Sequence, residues 1–278
     1  MALTSRRRLF PVTCLTLIVL PIALLTLRAV KQMQDYHQQP LFAAIRRNDT
    51  ATVIALLNAG ADPNARDPGT AQGLSKADHF FAAINHDNRR ENGQTPLLAA
   101  LYRTRTIVPQ KQMEISANPT PNVAILRALL DKGAKVDATD DTALTQPIIF
   151  AALSGNTQAV GLLLQRGAKI NGSSTGGTPL ICAASQGRTE MMRFLLARGA
   201  DSNARSLTGA TALIATVRYA RLPDAVQLLL DANANVNCKD KWGNTALAYA
   251  RTPLPTLDPS QTRHLPQVIA MLKNAGAK

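Results

Sequence analysis

The sequence predicts an all-α fold, a solenoid of stacked helix pairs preceded by one transmembrane helix. Three observations predict it. A short phrase returns six times between Pro40 and Lys278: GADPNARD at 60–67, GAKVDATD at 133–140, GAKINGSS at 167–174, GADSNARS at 199–206, NANVNCKD at 233–240 and a truncated GAK at 276–278. A turn-and-helix phrase recurs ahead of it, which sets a period of about 33 residues. Residues 9–27, LFPVTCLTLIVLPIALLTL, hold no charge and are long enough to cross a bilayer as a helix.

Each block justifies two helices. The first opens as TPLLAAL at 95–101, QPIIFAAL at 146–153, TPLICAASQG at 178–187, TALIATV at 211–217 and TALAYAR at 245–251. Thr suits the cap of a helix, and Pro suits its first turn, where a missing N–H costs nothing. The Ala residues that follow let a neighbouring helix come close. The second helix reads TATVIALLNAG at 50–60, NTQAVGLLLQRG at 156–167 and RTEMMRFLLARG at 188–199. Its apolar residues recur at helical spacing, and Gly closes it in the left-handed cap position.

These phrases resemble the ankyrin repeat, with its TPLHLAA opening, its Gly turn and its GADVNAxD close. The resemblance covers residues 40–278 in about six repeats. It implies paired antiparallel helices with β-hairpin-like fingers projecting from one side. It also implies protein binding rather than chemistry, and leaves the partner open.

Two intervals break the period. The first, 73 residues from Gly60 to Gly133, holds insertions near 68–92 and 104–121. The last, 43 residues from Asn233 to Gly276, holds one near 252–266. Long insertions in a regular array are either tolerated surface loops or part of a binding face.

The N-terminus divides into a basic segment at 1–8, the apolar span at 9–27 and a polar stalk at 28–39. Arg6, Arg7 and Arg8 outnumber Arg28 and Lys31 behind the span, so the N-terminus is expected to stay cytoplasmic. The repeats then lie across the membrane, which in a bacterium is the periplasm, on a single-pass inner-membrane protein. The alternative is a signal peptide, with the repeats released to the periplasm after cleavage.

The formal charge is +13, and beyond Lys31 the chain still carries 26 Lys and Arg against 18 Asp and Glu. That balance favours an acidic protein partner or an anionic membrane surface. No Lys/Arg run interleaved with aromatics points to nucleic acid. No phosphate loop, HExxH, CxxC or Gly-x-Ser-x-Gly is present, so no enzyme chemistry, cofactor or small-molecule substrate is expected. His79 and His86 fall short of a metal set, which needs more paired ligands. Cys182 and Cys238 read as two buried thiols.

Aligning the repeats gives the candidate site. The end of the first helix faces the inner groove in such arrays. Those positions hold Arg46 and Arg47, then Tyr102 and Arg103, then Arg188 in the fourth repeat, then Arg218, Tyr219 and Arg221 in the fifth. Arg and Tyr are the types that anchor interfaces. Leu153 and Ser154 interrupt the stripe in the third repeat. Trp242, the single Trp, sits at a finger tip and completes the candidate set. The expected function is a monomeric, membrane-tethered scaffold or adaptor on the non-cytoplasmic side. The alternative is an immunity-type inhibitor that occludes a toxin or lytic enzyme.

Overall fold

The computed structural model describes residues 40–67, 94–101, 121–139, 146–172, 177–252 and 263–278. Twelve helical elements lie within them, in six successive pairs. The first pair is α1 (40–47) and α2 (Thr50–Asn58). The second is α3 (Pro96–Leu101) and α4 (Val123–Asp131). The third is α5 (Pro147–Ser154) and α6 (Thr157–Gln165). The fourth is α7 (Pro179–Ser185) and α8 (Thr189–Leu196). In the fifth, α9 (Ala212–Ala215) runs on as a π-helical turn, Thr216–Ala220, before α10 (Pro223–Asp231). The sixth is α11 (Ala246–Arg251) and α12 (Leu265–Asn274).

The caps follow from the sequence. Thr178, Thr211 and Thr245 each turn their hydroxyl onto the N–H three residues ahead, at 3.4, 3.4 and 3.2 Å. Asp49, Asn122 and Asn156 cap the outer helices α2, α4 and α6 in the same way, each accepting through a side-chain oxygen from the N–H three residues ahead. The Thr52 hydroxyl, then the Thr52 N–H, holds the Asp49 carboxyl below its ordinary value. Every outer helix ends in a left-handed residue, which is Asn233 in the fifth repeat and Gly in the others. The next N–H then returns to the helix five residues back, as from Ala168 to the Leu163 carbonyl at 3.0 Å.

One hydrophobic core runs through all six pairs. Inner helices touch through Ala100, Ala151, Ala152, Ala183 and Ala184, all buried, and the small side chains permit the close approach. Buried Leu57, Leu129, Leu163, Leu195, Leu229 and Leu272 bring each outer helix onto that layer.

A second bonding system joins neighbouring repeats. In four of the closing phrases an Asn faces the next repeat's closing phrase; the second phrase carries Asp137 there instead. Asn203 donates through Nδ2 to the Asn233 carbonyl at 3.2 Å and accepts from the Asn235 N–H at 2.7 Å. Asn64 makes the same two bonds, to Gly133 and from Lys135, and Asn237 makes them to Gly276 and from Lys278. Asn171 accepts from the Asp201 N–H at 3.0 Å. One carboxamide thus satisfies both a donor and an acceptor of the neighbouring backbone.

The fingers are shorter than the expected hairpins. At 206–210 and 240–244 they close as turns with one hairpin-type bond each, from Ser206 to Ala210 and from Asp240 to Asn244. Among the described residues no extended strand forms, because each arm is only a few residues long. Helix α12 begins at Leu265, with Pro in its first turn, so the insertion expected at 252–266 ends earlier. Among the described residues no helix is long and apolar enough to cross a membrane. The span expected at 9–27 lies outside them, as do residues 1–8, the stalk, nearly all of the insertions at 68–92 and 104–121, and the middle of the third.

Asn203→Ala removes two bonds to the neighbouring repeat, both at the surface, and is expected to destabilise the fold by about 0.5–1.5 kcal/mol. Asn203→Asp keeps the acceptor and loses the donor, so it should fall between. Urea unfolding followed by circular dichroism reads both, and equal stability of all three chains would remove the inter-repeat bonds from the account.

Candidate functional site

The expected stripe divides into separate environments. Arg46 is paired with the buried carboxylate of Asp67 in the first finger, so its charge is already engaged within the repeat. Arg47 is exposed and donates from Nε to its own helix, at the Ala43 carbonyl. Tyr102 and Arg103 lie outside the described residues. Arg188 is exposed and runs alongside the third repeat, where a Cβ placed on Gly155 would sit 3.2 Å from its Cδ.

Arg221 corrects the reading of it as a surface contact. It is 1% exposed, and among the described residues its Nε, Nη1 and Nη2 have no hydrogen-bond partner. Burial pulls its pKa down from the ordinary value. A one-residue insertion explains the position. From Thr178 to the buried Met191 is 13 residues, and from Thr211 to its counterpart Ala225 is 14. The extra residue is absorbed as the π-helical turn, in which the Arg221 N–H reaches back to the Thr216 carbonyl at 2.7 Å. Arg221 therefore falls on the left-handed position that Gly155 and Gly187 occupy in the preceding repeats, with φ 54°.

Arg218, Tyr219 and Trp242 do come together. The Arg218 guanidinium lies 5.1 Å from the Tyr219 ring centre, 5.6 Å from that of Trp242 and 5.0 Å from that of Tyr249. All three are within cation–π reach. Arg218 Nη1 also donates to the Tyr249 hydroxyl at 3.4 Å. Tyr219 and Trp242 are 53% and 61% exposed, so the cluster is an open surface and not a core. Four of the five large apolar side chains exposed among the described residues, Leu207, Tyr219, Leu222 and Trp242, fall within about one repeat.

Asp240 builds this surface. Its Oδ1 accepts from the Trp242 and Asn244 N–H groups, both at 2.9 Å, which folds the finger that carries Trp242. Its Oδ2 accepts from the Tyr249 hydroxyl at 2.5 Å, which ties that finger to α11. Burial, then the bond to Asp240, raises the Tyr249 pKa, so the phenol stays protonated and donating. A Lys241 N–H bond to the Thr208 carbonyl at 2.9 Å holds this finger to the one before it. Tyr249 and Asp240 were missed in the sequence. The available signal was Tyr249 itself, at an inner-helix position that holds Ala43, Ala99, Phe150, Cys182 or Ala215 elsewhere.

The arrangement supplies recognition. Arg218 offers donors to a carboxylate, and the rings offer rigid apolar area. Among the described residues no group of His, Cys, Asp and Glu is placed to hold a metal. Cys182 is buried, and burial pushes its thiol up to about 11. Cys238 is only half-buried, which corrects the expectation of two buried thiols.

Family models of ankyrin repeats match residues 36–68, 113–206 and 208–241, together more than half of the chain. A Danio rerio protein provisionally named palmitoyltransferase ZDHHC13 is 31% identical over 147 residues, 49% of this chain and 20% of that protein. Dauer abnormal formation protein 25 of Caenorhabditis elegans is 29% identical over 137 residues, 49% of this chain and 25% of its own. The match thus spans a quarter or less of either relative.

Arg221→Gly is expected to stabilise the fold by about 1 kcal/mol or more, by relieving a left-handed non-Gly residue and an unpaired buried charge. Arg221→Ala keeps the positive φ and should gain less. Urea midpoints of the three chains check this, and a lower midpoint for Arg221→Gly would mean that the guanidinium has a partner.

Proposed function

Because the chain belongs to the ankyrin-repeat family, we propose that it is a non-catalytic protein-binding adaptor whose main contact is the Arg218 cluster on the fifth and sixth repeats. The observation that carries this reading is a guanidinium held among three rings, two of them more than half exposed. Interfaces draw most of their energy from a few Arg, Tyr and Trp side chains of this kind. Held on a ring platform, Arg218 loses little further side-chain freedom when a carboxylate arrives. That geometry and the excess of Lys and Arg over Asp and Glu support an acidic partner.

The tether belongs to the same proposal. The uncharged span at 9–27, with three Arg ahead of it, anchors the protein in a membrane and places the repeats on the non-cytoplasmic side, the periplasm of a bacterium. The anchor confines binding to that surface. The transferase named in the zebrafish relative is not carried over, because the match covers a fifth of that protein.

Arg218→Glu is expected to weaken capture of the partner by at least about tenfold, as loss of an interface anchor does. Arg46→Glu should weaken it less, because Asp67 already engages that charge. In-cell crosslinking with the full-length chain and both variants measures this. Equal capture by all three chains would remove the cluster from the interface. A captured toxin or lytic enzyme that the wild-type chain silences would favour an inhibitor over an adaptor.

A further inference from the structure

We infer that the outer face of the second to fourth repeats carries a second binding site, which takes an acidic peptide segment with one large apolar side chain. The site is a groove of about 470 Å³ along α4, α6 and α8. None of these helices contributes to the Arg218 cluster. Val123, Leu162 and Phe194 give the groove an apolar lining, Gly161 opens its middle, and Arg127 and Arg198 stand at it from the flanking repeats.

Gly161 is the first argument. It lies inside α6, where Gly is less favourable than Ala. Packing does not require it: an added Cβ would meet Phe194 Cζ at 3.5 Å, an ordinary contact. The equivalent residues are Ile54, Arg127, Arg193 and Gln227 in four other repeats, each following a buried side chain, and Ala270 in the sixth. The fold therefore accepts long side chains at this position, and the Gly leaves a notch that a foreign side chain fits.

Charge is the second argument, and it fixes the occupant. Two outer-face guanidinium groups away from the groove have carboxylate partners, whereas among the described residues Lys132 and Lys273 have none. Arg166 pairs with Asp131 at 2.6 Å, and Arg193 lies 3.9 Å from Glu190. The two at the groove do not. Among the described residues Arg127 has no anionic partner, and Arg198 has only the Phe194 ring, 3.5 Å away, and the Phe194 carbonyl. No carboxylate is among the described residues that line the groove. Two unneutralised guanidinium groups flanking an apolar notch complement an acidic segment with an apolar anchor. The molecule then holds two partners, one through its inner surface and one through its outer face.

The test uses the full-length chain in detergent and fluorescein-labelled 12-residue peptides of Glu and Asp around a central Phe. The same peptide with a central Gly, and one with Lys for every acid, are the controls. Saturable binding is expected for the Phe-centred acidic peptide alone. It should weaken at least about tenfold in Gly161→Leu, which fills the notch, and in the double variant R127E/R198E. Arg218→Glu should leave it unchanged. Gly161→Ala should raise Tm and keep most of the binding, so a folding defect is separable from a filled site. No saturable binding up to about 1 mM would overturn the proposal. So would equal binding of the Gly-centred peptide, or full binding by Gly161→Leu. A concentration-dependent dimer that Gly161→Leu abolishes would assign the groove to a second copy of the chain and overturn it as well.

Discussion

The structure depends on the side-chain amide that closes one repeat against the next. A single helix pair buries one face only, so its stability comes from its neighbours. The core supplies most of that energy through its close-packed Ala and Leu side chains. The bonds from Asn64, Asn203 and Asn237 to the following closing phrase add direction. Each presents a donor and an acceptor to a backbone pair, so a shift of one residue would leave both unmet. Finger spacing follows from this register, and finger spacing sets where Trp242 stands against Arg218.

The fifth repeat shows how the array absorbs an irregularity. One additional residue between Thr211 and Ala225 could have displaced α10 from the core. It is taken up instead in a π-helical turn, and Val226 and Leu229 remain fully buried. The disturbance stays local. It places Arg221 in a left-handed, buried position, just after the Arg218–Tyr219 pair that meets the aromatic rings. Irregular helical turns are frequent at functional sites, which agrees with the placement of the cluster.

The helices and their ends were legible because they rest on local rules. Thr178, Thr211 and Thr245 cap as their residue type directs, and the closing Gly residues take positive φ as expected. The candidate site was legible in part. Arg218, Tyr219 and Trp242 were read from repeat alignment, and they meet in space. Arg46 was read as a free contact, but its pairing with Asp67 joins residues 21 apart, which periodicity does not show. Arg221 was misread because an alignment without the inserted residue puts it on the surface. Tyr249 was not singled out. Its partners Asp240 and Arg218 come from the finger and the preceding repeat, and only the stacked structure brings them to it.

The central claim is that the partner covers the Arg218 cluster, and the single Trp of the chain lies inside that cluster. Acrylamide quenching of Trp242 fluorescence tests it most directly. Quenching is expected to be strong in the free protein, since the indole is 61% exposed, and to fall sharply when a captured partner without Trp is added to saturation. Unchanged quenching at saturation would contradict the account and move the interface away from the fifth and sixth repeats.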